Sequence, residues 1–331
     1  GAYQMPSNRR PRMAFKPDWT PFLQGDRLMT QPYYPSRPID GNCKDATHIH
    51  DWWDTIQSRL RPGRLEDARI CPSGCWHTFP PSNASSRNAK RDPMGVTLLL
   101  LSSPRPTDPY DHGNMLLSNL RSTEQALGFQ THIVVIFDGL ACRSKHSTSE
   151  IAGAYLSKIS RVKDVLGQKA GAASLLVHRE WLHIAEAERR VMSLHRLVQT
   201  GLLLLIQEDQ KLSLWPPRAG RLPDVDQIVA AMQNQTSRRP TITTVHFAQH
   251  FVGTWKKECY PGDTPCRPHD ALPLLSTHRF NDQPHLILRR HYMNVVWQTV
   301  PRGYRTATEH HANAFAISEG NWSGWLYAGP G

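Results

Sequence analysis

The chain has 331 residues, of which 39% are apolar, and its formal net charge is +11 at pH 7. That length allows one large domain or two, and no run approaches the roughly 20 apolar residues that a membrane-spanning helix needs. The positive charge suits polyanions, anionic membrane surfaces or phosphorylated small molecules as partners, and charge alone does not choose among them.

Residues 1–93 form the first distinct region of the sequence. They are rich in Pro, Arg, Asn and Ser, and their apolar residues follow no period. We therefore predict a stem or irregular extension that packs on the main domain and is pinned by Cys43, Cys71 and Cys75. The segment "HIHDWWDTIQSRL" at 48–60 is predicted to be helical, and its two tryptophans are expected to dock the extension on the main domain.

The six cysteines occur together with three potential N-glycosylation sites, at Asn83, Asn234 and Asn321. An even cysteine count with such sites is typical of a protein that folds in an oxidising compartment. We predict a disulfide between Cys259 and Cys266, because the short intervening segment contains the turn-forming sequence "PGDTP". A zinc site at Cys71, Cys75 and His77 is the alternative for the earlier cysteines, although it lacks a matching second pair.

The cysteines and glycosylation sites also bear on localisation. They predict a protein of the Golgi or ER lumen, in the secretory pathway. No signal peptide is recognisable in the sequence. We expect a type II membrane protein whose only contact with the membrane is an N-terminal anchor that this sequence does not include.

From residue 95 onward, short apolar runs alternate with amphipathic segments. The predicted strands are residues 95–103, 131–140, 173–179 and 202–206. The predicted helices are residues 115–127, 150–166 and 181–200. This alternation predicts an α/β domain with a mostly parallel sheet and helices on both of its faces.

Each predicted strand is followed by polar residues. The four clusters are "SSPRP", "FDGL", "HRE" and "QED", in chain order. An acidic residue at a strand end, taken alone, is more typical of a cap or a turn. Because ligands bind at the carboxyl ends of the strands in such sheets, four clusters at one edge together predict a ligand site there.

Four segments carry a resemblance to a known family. They are "IQEDQ" (206–210), "RFNDQPHLILRRHYM" (279–293), "TATEHHA" (306–312) and "WSGWLYAGP" (322–330). In this order they resemble segments of the nucleotide-sugar glycosyltransferases of the GT-A fold, in particular the inverting, family-2-like group. The resemblance covers about residues 95–331.

The resemblance implies both a fold and an activity. The fold is GT-A, which is Rossmann-like, and it would occupy residues 94–331. Residues 94–212 would form the nucleotide-sugar half and residues 213–331 the acceptor half. The implied activity is the transfer of a sugar from a nucleotide-diphosphate sugar to a hydroxyl of a glycan or glycoprotein acceptor, with inversion.

The resemblance also implies a donor site at the ends of the strands. Its residues would be Ser102, Ser103, Asp138, Arg179, Gln207 and Glu208. Asp138 would accept a hydrogen bond from the base or ribose, and the two serines would line the same pocket. Arg189 and Arg190 are predicted to lie near the same edge, where the preferred interpretation is a solvated helix face.

Negative charge grows on the departing diphosphate during sugar transfer, so a positive group must meet it. By resemblance, Asp209 would hold Mn²⁺ or Mg²⁺ on the diphosphate, since both cations bind carboxylate and phosphate oxygens. Gln207 occupies the position of the first Asp in the Asp-X-Asp motif of the family. This departure from the motif argues against strong metal binding.

The acceptor side is assigned by resemblance to the C-terminal segments. Its predicted residues are Glu309, Asp282, His285, Trp322, Trp325 and Tyr327. Glu309 would be the base that deprotonates the acceptor hydroxyl, with Asp282 as the second choice. Glu309 near a helix N-terminus and His285 as a structural residue are the alternatives. The three aromatic residues would stack on a sugar or belong to the core.

Two other functions are compatible with the sequence. One is a carbohydrate-binding pseudoenzyme that keeps the fold and has lost its metal chemistry through Gln207. The other is nucleic-acid binding, which the net charge of +11 suggests. We expect no nucleic-acid partner, because the basic residues are dispersed and no motif with interleaved aromatic residues is present.

Overall fold

The computed structural model describes residues 47–60, 70–71, 74–79, 95–104, 111–129, 131–141, 148–169, 172–193, 197–198, 200–210, 212, 224–235, 241–247, 267–277, 280, 283–300, 308, 312 and 324–327. The helices are α1 (Thr47–Leu60), α2 (Asn114–Leu127), α3 (Ser149–Gly167), α4 (His183–Ser193), α5 (Val225–Gln233) and α6 (Arg289–Asn294). The strands are β1 (Ile70–Cys71), β2 (Gly74–Phe79), β3 (Val96–Ser102), β4 (His132–Phe137), β5 (Ala173–His178), β6 (Leu202–Gln207), β7 (Thr244–His246), β8 (Leu274–Thr277), β9 (His285–Leu288) and β10 (Gly324–Tyr327).

These strands form one sheet in the order β1-β2-β5-β4-β3-β6-β9-β7-β10-β8. The four central strands, β5, β4, β3 and β6, are parallel to one another. Antiparallel strands flank them on both sides, with β2 on β5 and β9 on β6. The prediction of an α/β architecture with a mostly parallel central sheet is therefore confirmed.

The parallel strands are apolar because both of their faces are covered. Every residue of β3 is buried, and its alternate leucines belong to two different core clusters. Leu98 and Leu100 pack with α1, α2, α3 and α5, on what we call the α3 face. Leu99 and Leu101 pack with α4 and α6, on what we call the α4 face. Helices on both faces explain why these strands read as continuous hydrophobic runs.

The predicted N-terminal helix is present as α1. Its Trp52 and Trp53 are buried, and Trp52 lies against Tyr155 of α3 with 6.1 Å between ring centroids. Strand β2 extends the sheet by pairing along β5, an arrangement that the aperiodic sequence of the region did not predict. The described parts of the predicted extension, like the rest of the described chain, lie within a compact unit that spans residues 36–331.

Helix α4 is shorter than the predicted helix at 181–200. It begins at His183, where the Asp138 carboxylate accepts the backbone N–H groups of Leu182 and His183 at 2.7 and 2.9 Å. It ends at Ser193. Across the described parts of the chain, no helix combines the length and the hydrophobicity that a membrane crossing requires.

Candidate functional site

A cavity of about 360 Å³ opens at the carboxyl ends of β3, β4 and β6. Polar residues from the strand ends line one side of it, namely Ser102, Ser103, Asp138, Gln207, Glu208 and Asp209. Apolar residues close the other side, among them Ile136 of β4 and Ile184 and Ala187 of α4. Three of the four predicted strand-end clusters therefore meet in one place.

The end of β6 places successive residues on opposite faces of the sheet, as a strand must. Gln207 pairs with Leu101, whose side chain belongs to the α4 face. The next residue, Glu208, is bonded by its backbone N–H to the carbonyl of Leu101 at 2.8 Å. Gln207 is half-buried, Glu208 is 3% exposed and Asp209 is exposed. The three polar residues in this turn thus differ sharply in their access to solvent.

The carboxylate of Glu208 is bound by groups of the protein itself. Lys158 of α3, which is 5% exposed, forms a salt bridge with its Oε2 atom. The hydroxyl of Ser102 donates a hydrogen bond to the same oxygen at 2.7 Å. This arrangement compensates a charge that would otherwise be very costly to bury.

Tyr155 lies beside this ion pair in the core of the α3 face. Its hydroxyl donates a hydrogen bond to the backbone carbonyl of Asp138 at 2.9 Å and also lies 3.4 Å from that of Ser102. Burial, together with the nearby carboxylates of Asp138 and Glu208, holds the pKa of Tyr155 well above its usual range. Tyr155 therefore remains a donor and ties the ends of β3 and β4 together.

Asn119 of α2 fastens the turn that follows β6. Its side-chain amide donates to the backbone carbonyl of Gln207 at 2.9 Å, and it also contacts the carbonyls of Glu208 and Gln210. The turn is closed by a hydrogen bond from the Gln210 backbone N–H to the Gln207 carbonyl at 3.0 Å. Asn119 is fully buried, so its amide has little freedom to leave this position.

Asp138 is also occupied by the protein. Its Oδ1 accepts the backbone N–H groups of Gly139 and Leu182 at 2.9 and 2.7 Å, and its Oδ2 accepts that of His183 at 2.9 Å. A carboxylate has roughly four acceptor positions, so at most about one is left for a ligand. Asp138 thus holds the beginning of α4 against the end of β4.

Gly139 allows the ends of β4 and β5 to approach each other. Its N–H donates to the Glu180 carbonyl at 3.2 Å, and a Cβ atom here would collide with the Glu180 backbone. His183 adopts a left-handed conformation with φ of 65°, which is uncommon for a residue other than glycine. The backbone around the cavity is therefore held in a specific shape.

The sequence did not single out Trp181 and His183, which form the aromatic wall of the cavity. Both are half-buried, and their ring centroids lie 6.0 Å apart. They follow directly after the "HRE" cluster of the third predicted strand. Their position after a strand end was the signal in the sequence that could have identified them.

The predicted arginines lie outside this wall. Arg179 is exposed at the end of β5. Arg189 and Arg190 form salt bridges with Glu186 at 2.8 and 3.5 Å. Arg189 also donates a hydrogen bond to the Val300 carbonyl at 2.8 Å. The two helix arginines thus have structural partners within the protein.

His285 lies in β9 opposite Leu205 and is 3% exposed. Its Nδ1 atom is 2.7 Å from the Gln283 carbonyl, so Nδ1 carries the proton. Its Nε2 atom is buried and has no hydrogen-bond partner among the described residues. Burial lowers the pKa of His285 to about 4. His285 is therefore neutral near pH 7, and it lies outside the cavity wall.

The two described residues of the predicted aromatic group belong to β10. Tyr327 is buried near Phe247, with 5.6 Å between ring centroids, and burial raises its pKa to about 12. Trp325 is half-buried, and its indole N–H donates to the Thr241 carbonyl at 2.8 Å. In the sheet, β10 is separated from β6 by β9 and β7. Both side chains thus have structural contacts away from the cavity.

Several predicted residues fall outside the described part of the chain. They are Asp282, Glu309, Trp322, Cys43, Cys259 and Cys266. The base, the Cys259–Cys266 disulfide and the pinning of the extension by disulfides therefore stay predictions. Cys75 is described and lies buried in β2.

The donor atoms at the cavity bear on the predicted metal. No group of three His, Cys, Asp or Glu side chains within the described residues is arranged to hold a metal ion. Asp209 and Gln207 nevertheless both line the cavity. Mg²⁺ commonly binds through one or two carboxylates, several waters and substrate phosphates. The donor set therefore fits a divalent cation that is shared with a diphosphate, and it does not fit one caged by the protein alone.

Comparison with known proteins gives no further assignment. Neither a protein-family model nor a curated protein sequence matches this chain.

Proposed function

We propose that this protein is a glycosyltransferase of the GT-A fold that moves a sugar from a nucleotide-diphosphate sugar to a hydroxyl of a glycan or glycoprotein. The observation that carries the proposal is the cavity at the carboxyl ends of β3, β4 and β6, with Gln207 and Asp209 at its edge. Ligands of open α/β sheets bind at this edge. A volume of about 360 Å³ lies within the range of small-molecule sites.

The walls of the cavity suit the two ends of a nucleotide. Trp181, Ile136 and Ile184 provide apolar surface for a flat base. Ser103 supplies a hydroxyl, and Asp138 contributes at most about one further hydrogen bond to the base or ribose. Nucleoside binding in this proposal therefore depends mainly on the aromatic and aliphatic wall.

The diphosphate would lie toward the end of β6. Asp209 and Gln207 would hold Mn²⁺ or Mg²⁺ there, and the bound cation would supply positive charge to the departing diphosphate. Glu208 is predicted to act indirectly, because its carboxylate is already paired with Lys158. Arg179 is exposed and is no more than a peripheral candidate for the same anion.

On the acceptor side, inversion requires one carboxylate that takes the proton of the attacking hydroxyl. Glu309 is the proposed base and Asp282 the second candidate. His285 is assigned to the support of β9 because it is buried and neutral. Trp322 remains a candidate for contact with the acceptor sugar. The proposed setting is the Golgi or ER lumen, with a type II anchor as the only membrane contact.

Thermal stabilisation by nucleotide sugars tests the proposed function. A panel of nucleotide-diphosphate sugars is added to the whole chain in Mn²⁺ or in EDTA, and the matching sugar-free nucleotides serve as controls. We expect one donor to raise the melting temperature more in Mn²⁺, since a ligand at 100 times its Kd stabilises a protein by about 2.7 kcal/mol. If no member of the panel shifts the melting temperature in either condition, the proposal is wrong.

A pseudoenzyme that binds a nucleotide sugar without transferring it is the second candidate. The observation in its favour is that Gln207 replaces a carboxylate and Glu208 is engaged by Lys158, which leaves Asp209 as the exposed acidic group at the cavity. Stabilisation by a donor with no transfer to any of a range of glycan acceptors, and no donor hydrolysis, would favour this candidate.

A further inference from the structure

The salt bridge between Lys158 and Glu208 is unusual because both groups are almost fully buried. Their side chains are 7% and 4% exposed. Removing two charges from water costs several kcal/mol per ion, and their attraction often does no more than offset this cost. Replacing such a pair by apolar residues is commonly neutral or stabilising. The pair is therefore more informative about local geometry than about overall stability.

The geometry that the pair maintains is that of the turn after β6. Glu208 lies between Gln207 and Asp209, which both line the cavity. Its carboxylate is drawn to the α3 face by Lys158 and by the hydroxyl of Ser102. β6 ends at Gln207, and Glu208 and Asp209 belong to the turn that the Gln210 N–H closes on the Gln207 carbonyl. Fixing the Glu208 side chain on the α3 face therefore restrains this turn, which brings Asp209 to the cavity wall.

Asn119 restrains the same turn through the backbone. Its amide contacts the carbonyls of Gln207, Glu208 and Gln210, so it bridges the whole turn from α2. Lys158 fixes the side chain at the centre of the turn, whereas Asn119 fixes the peptide groups on both sides of it. The two residues lie on different helices and act on the same four-residue segment.

We propose that Lys158 and Asn119 are positioning residues that hold the turn 207–210 so that the carboxylate of Asp209 is directed into the diphosphate and metal site. This inference rests on the proposed function. Neither residue contacts the ligand in this proposal, and neither was identified from the sequence. Residues that orient metal ligands in this indirect way typically change metal affinity by about 10-fold to 100-fold when they are mutated.

The test is calorimetric binding of UDP and of GDP to the whole chain, each in Mn²⁺ and in EDTA. The quantity compared is the ratio of the two dissociation constants, EDTA over Mn²⁺. We expect Lys158→Met and Asn119→Ala each to lower this ratio about 10-fold and to leave the affinity in EDTA nearly unchanged. A general loosening of the cavity would instead weaken binding in both conditions.

Lys169→Met is the matched control. Lys169 follows the same helix and forms a salt bridge with Glu124 at 2.7 Å, but neither residue borders the cavity. In Lys169→Met, the ratio of the dissociation constants in EDTA and in Mn²⁺ should be the same as in the wild type. If Lys158→Met does not fold, the double variant Lys158→Met with Glu208→Gln replaces it, because it leaves no unpaired buried charge.

The outcomes distinguish this inference from the proposed function. A wild-type protein that binds neither nucleotide would overturn both. A wild-type protein that binds in an Mn²⁺-dependent manner, together with folded Lys158 and Asn119 variants whose ratio is unchanged, would overturn the positioning role alone. Faster hydrogen exchange of the Gln210 amide in Asn119→Ala, with Lys169→Met unaffected, would support the claim that these residues hold the turn.

Discussion

The polar groups at the end of β6 differ in their burial and in their contacts. On the α3 face, Glu208 is buried and its carboxylate contacts Lys158 and Ser102. Gln207 and Asp209 line the same cavity as Glu208, but Asp209 is exposed and Gln207 is half-buried. The two carboxylates are adjacent in sequence, yet one is enclosed by the protein and the other faces solvent.

This difference shows how a structural carboxylate can be distinguished from one that is exposed to solvent. Burying a charge is tolerable when the protein itself supplies the compensating charge and hydrogen bonds, as it does for Glu208. An exposed carboxylate at the rim of a cavity has lower desolvation cost and can exchange water for a cation or a phosphate-bound metal. Variants of residues on each face test whether the two faces have these separate roles.

The largest expected effect is on stability, from the α3 face. Lys158→Met leaves the buried carboxylate of Glu208 without its countercharge. We expect the free energy of unfolding to fall by about 3–5 kcal/mol, the usual cost of removing one partner of a buried ion pair. Urea denaturation followed by circular dichroism measures it.

The double variant Lys158→Met with Glu208→Gln sharpens that prediction. It should recover most of the lost stability, because neither remaining group is charged. The control Lys169→Met should cost about 1 kcal/mol or less, since its salt bridge is more exposed. If Lys158→Met and Lys169→Met lower the free energy of unfolding equally, the buried carboxylate of Glu208 does not depend on Lys158 for its stability.

Asp209→Ala tests the cavity side and should show the opposite pattern. The stability should change by about 0.5 kcal/mol or less, because the side chain is exposed. Mn²⁺-dependent nucleotide binding and sugar transfer should fall by about 10²-fold, as for loss of a group that stabilises developing charge. If Asp209→Ala keeps near-normal turnover with the donor of the wild type, the assignment of Asp209 to the metal site is wrong.

Gln207→Asp is the complementary change on the same face. It restores a second carboxylate at the rim, and we expect the Mn²⁺ dependence of nucleotide binding to be kept or strengthened. The same calorimetric titrations measure it. A weaker dependence than in the wild type would place Gln207 outside the metal site.

On the α4 face, the surroundings of His285 are buried. The pH dependence of the free energy of unfolding can test this burial. His285 packs near His246, Phe280 and Tyr292, and Tyr292 donates a hydrogen bond to the buried carboxylate of Glu188. Burial lowers the pKa of His285 to about 4. The unfolded chain, whose histidines titrate near 6.5, therefore binds the proton first as the pH falls.

The stability contributed by neutral His285 is present above pH 6.5 and is lost as the pH falls toward 4. At pH 5 the loss from this residue should be about 2 kcal/mol. His291 has a pKa lowered to about 4, by burial and by Arg290, and contributes in the same window. When urea denaturation is compared at pH 7 and pH 5, the free energy of unfolding of His285→Gln should fall by less than that of the wild type. An equal loss would show that His285 titrates normally.

The fold could be predicted from the sequence to the extent that it depends on local pattern. The apolar runs of β3 to β6 are buried on both faces, and burial on both faces is what produces such runs. The two-residue strand β1 and strand β2 lie in a region with no hydrophobic period, so their addition to the sheet was not predictable in this way. Their pairing depends on β5, a distant segment of the chain.

The candidate site was predictable in position and much less so in detail. Ser102, Ser103 and Asp209, which belong to the strand-end clusters of the sequence, line one cavity, and their role as a ligand site stays a prediction. Nothing in the local sequence indicated that Lys158, in the middle of α3, would reach the turn after β6. Such a contact joins residues that are 50 positions apart, and only the packing of α3 on the sheet brings them together.

The smallest expected effect concerns Asp138, which lines the cavity but is bonded to the backbone around α4. Asp138→Asn keeps the size of the side chain and replaces one acceptor oxygen by an amide group that cannot accept a hydrogen bond. The N–H of Leu182 or of His183 then loses its acceptor, whereas the Gly139 N–H keeps the Glu180 carbonyl. We expect a loss of about 1–2 kcal/mol in the free energy of unfolding, and a change in nucleotide affinity within about threefold.

Asp111→Asn is the control for this last change, because Asp111 also accepts a backbone N–H at the start of a helix, from Met115 of α2 at 3.0 Å, and does not line the cavity. Both variants should lose stability, since both remove a charged acceptor from a helix N-terminus. If Asp138→Asn instead lowers nucleotide affinity more than 10-fold while its stability matches the wild type, Asp138 is a ligand-binding carboxylate. In that case burial alone would assign Asp138 wrongly. Contacts with the ligand would be needed to distinguish structural carboxylates from ligand-binding ones.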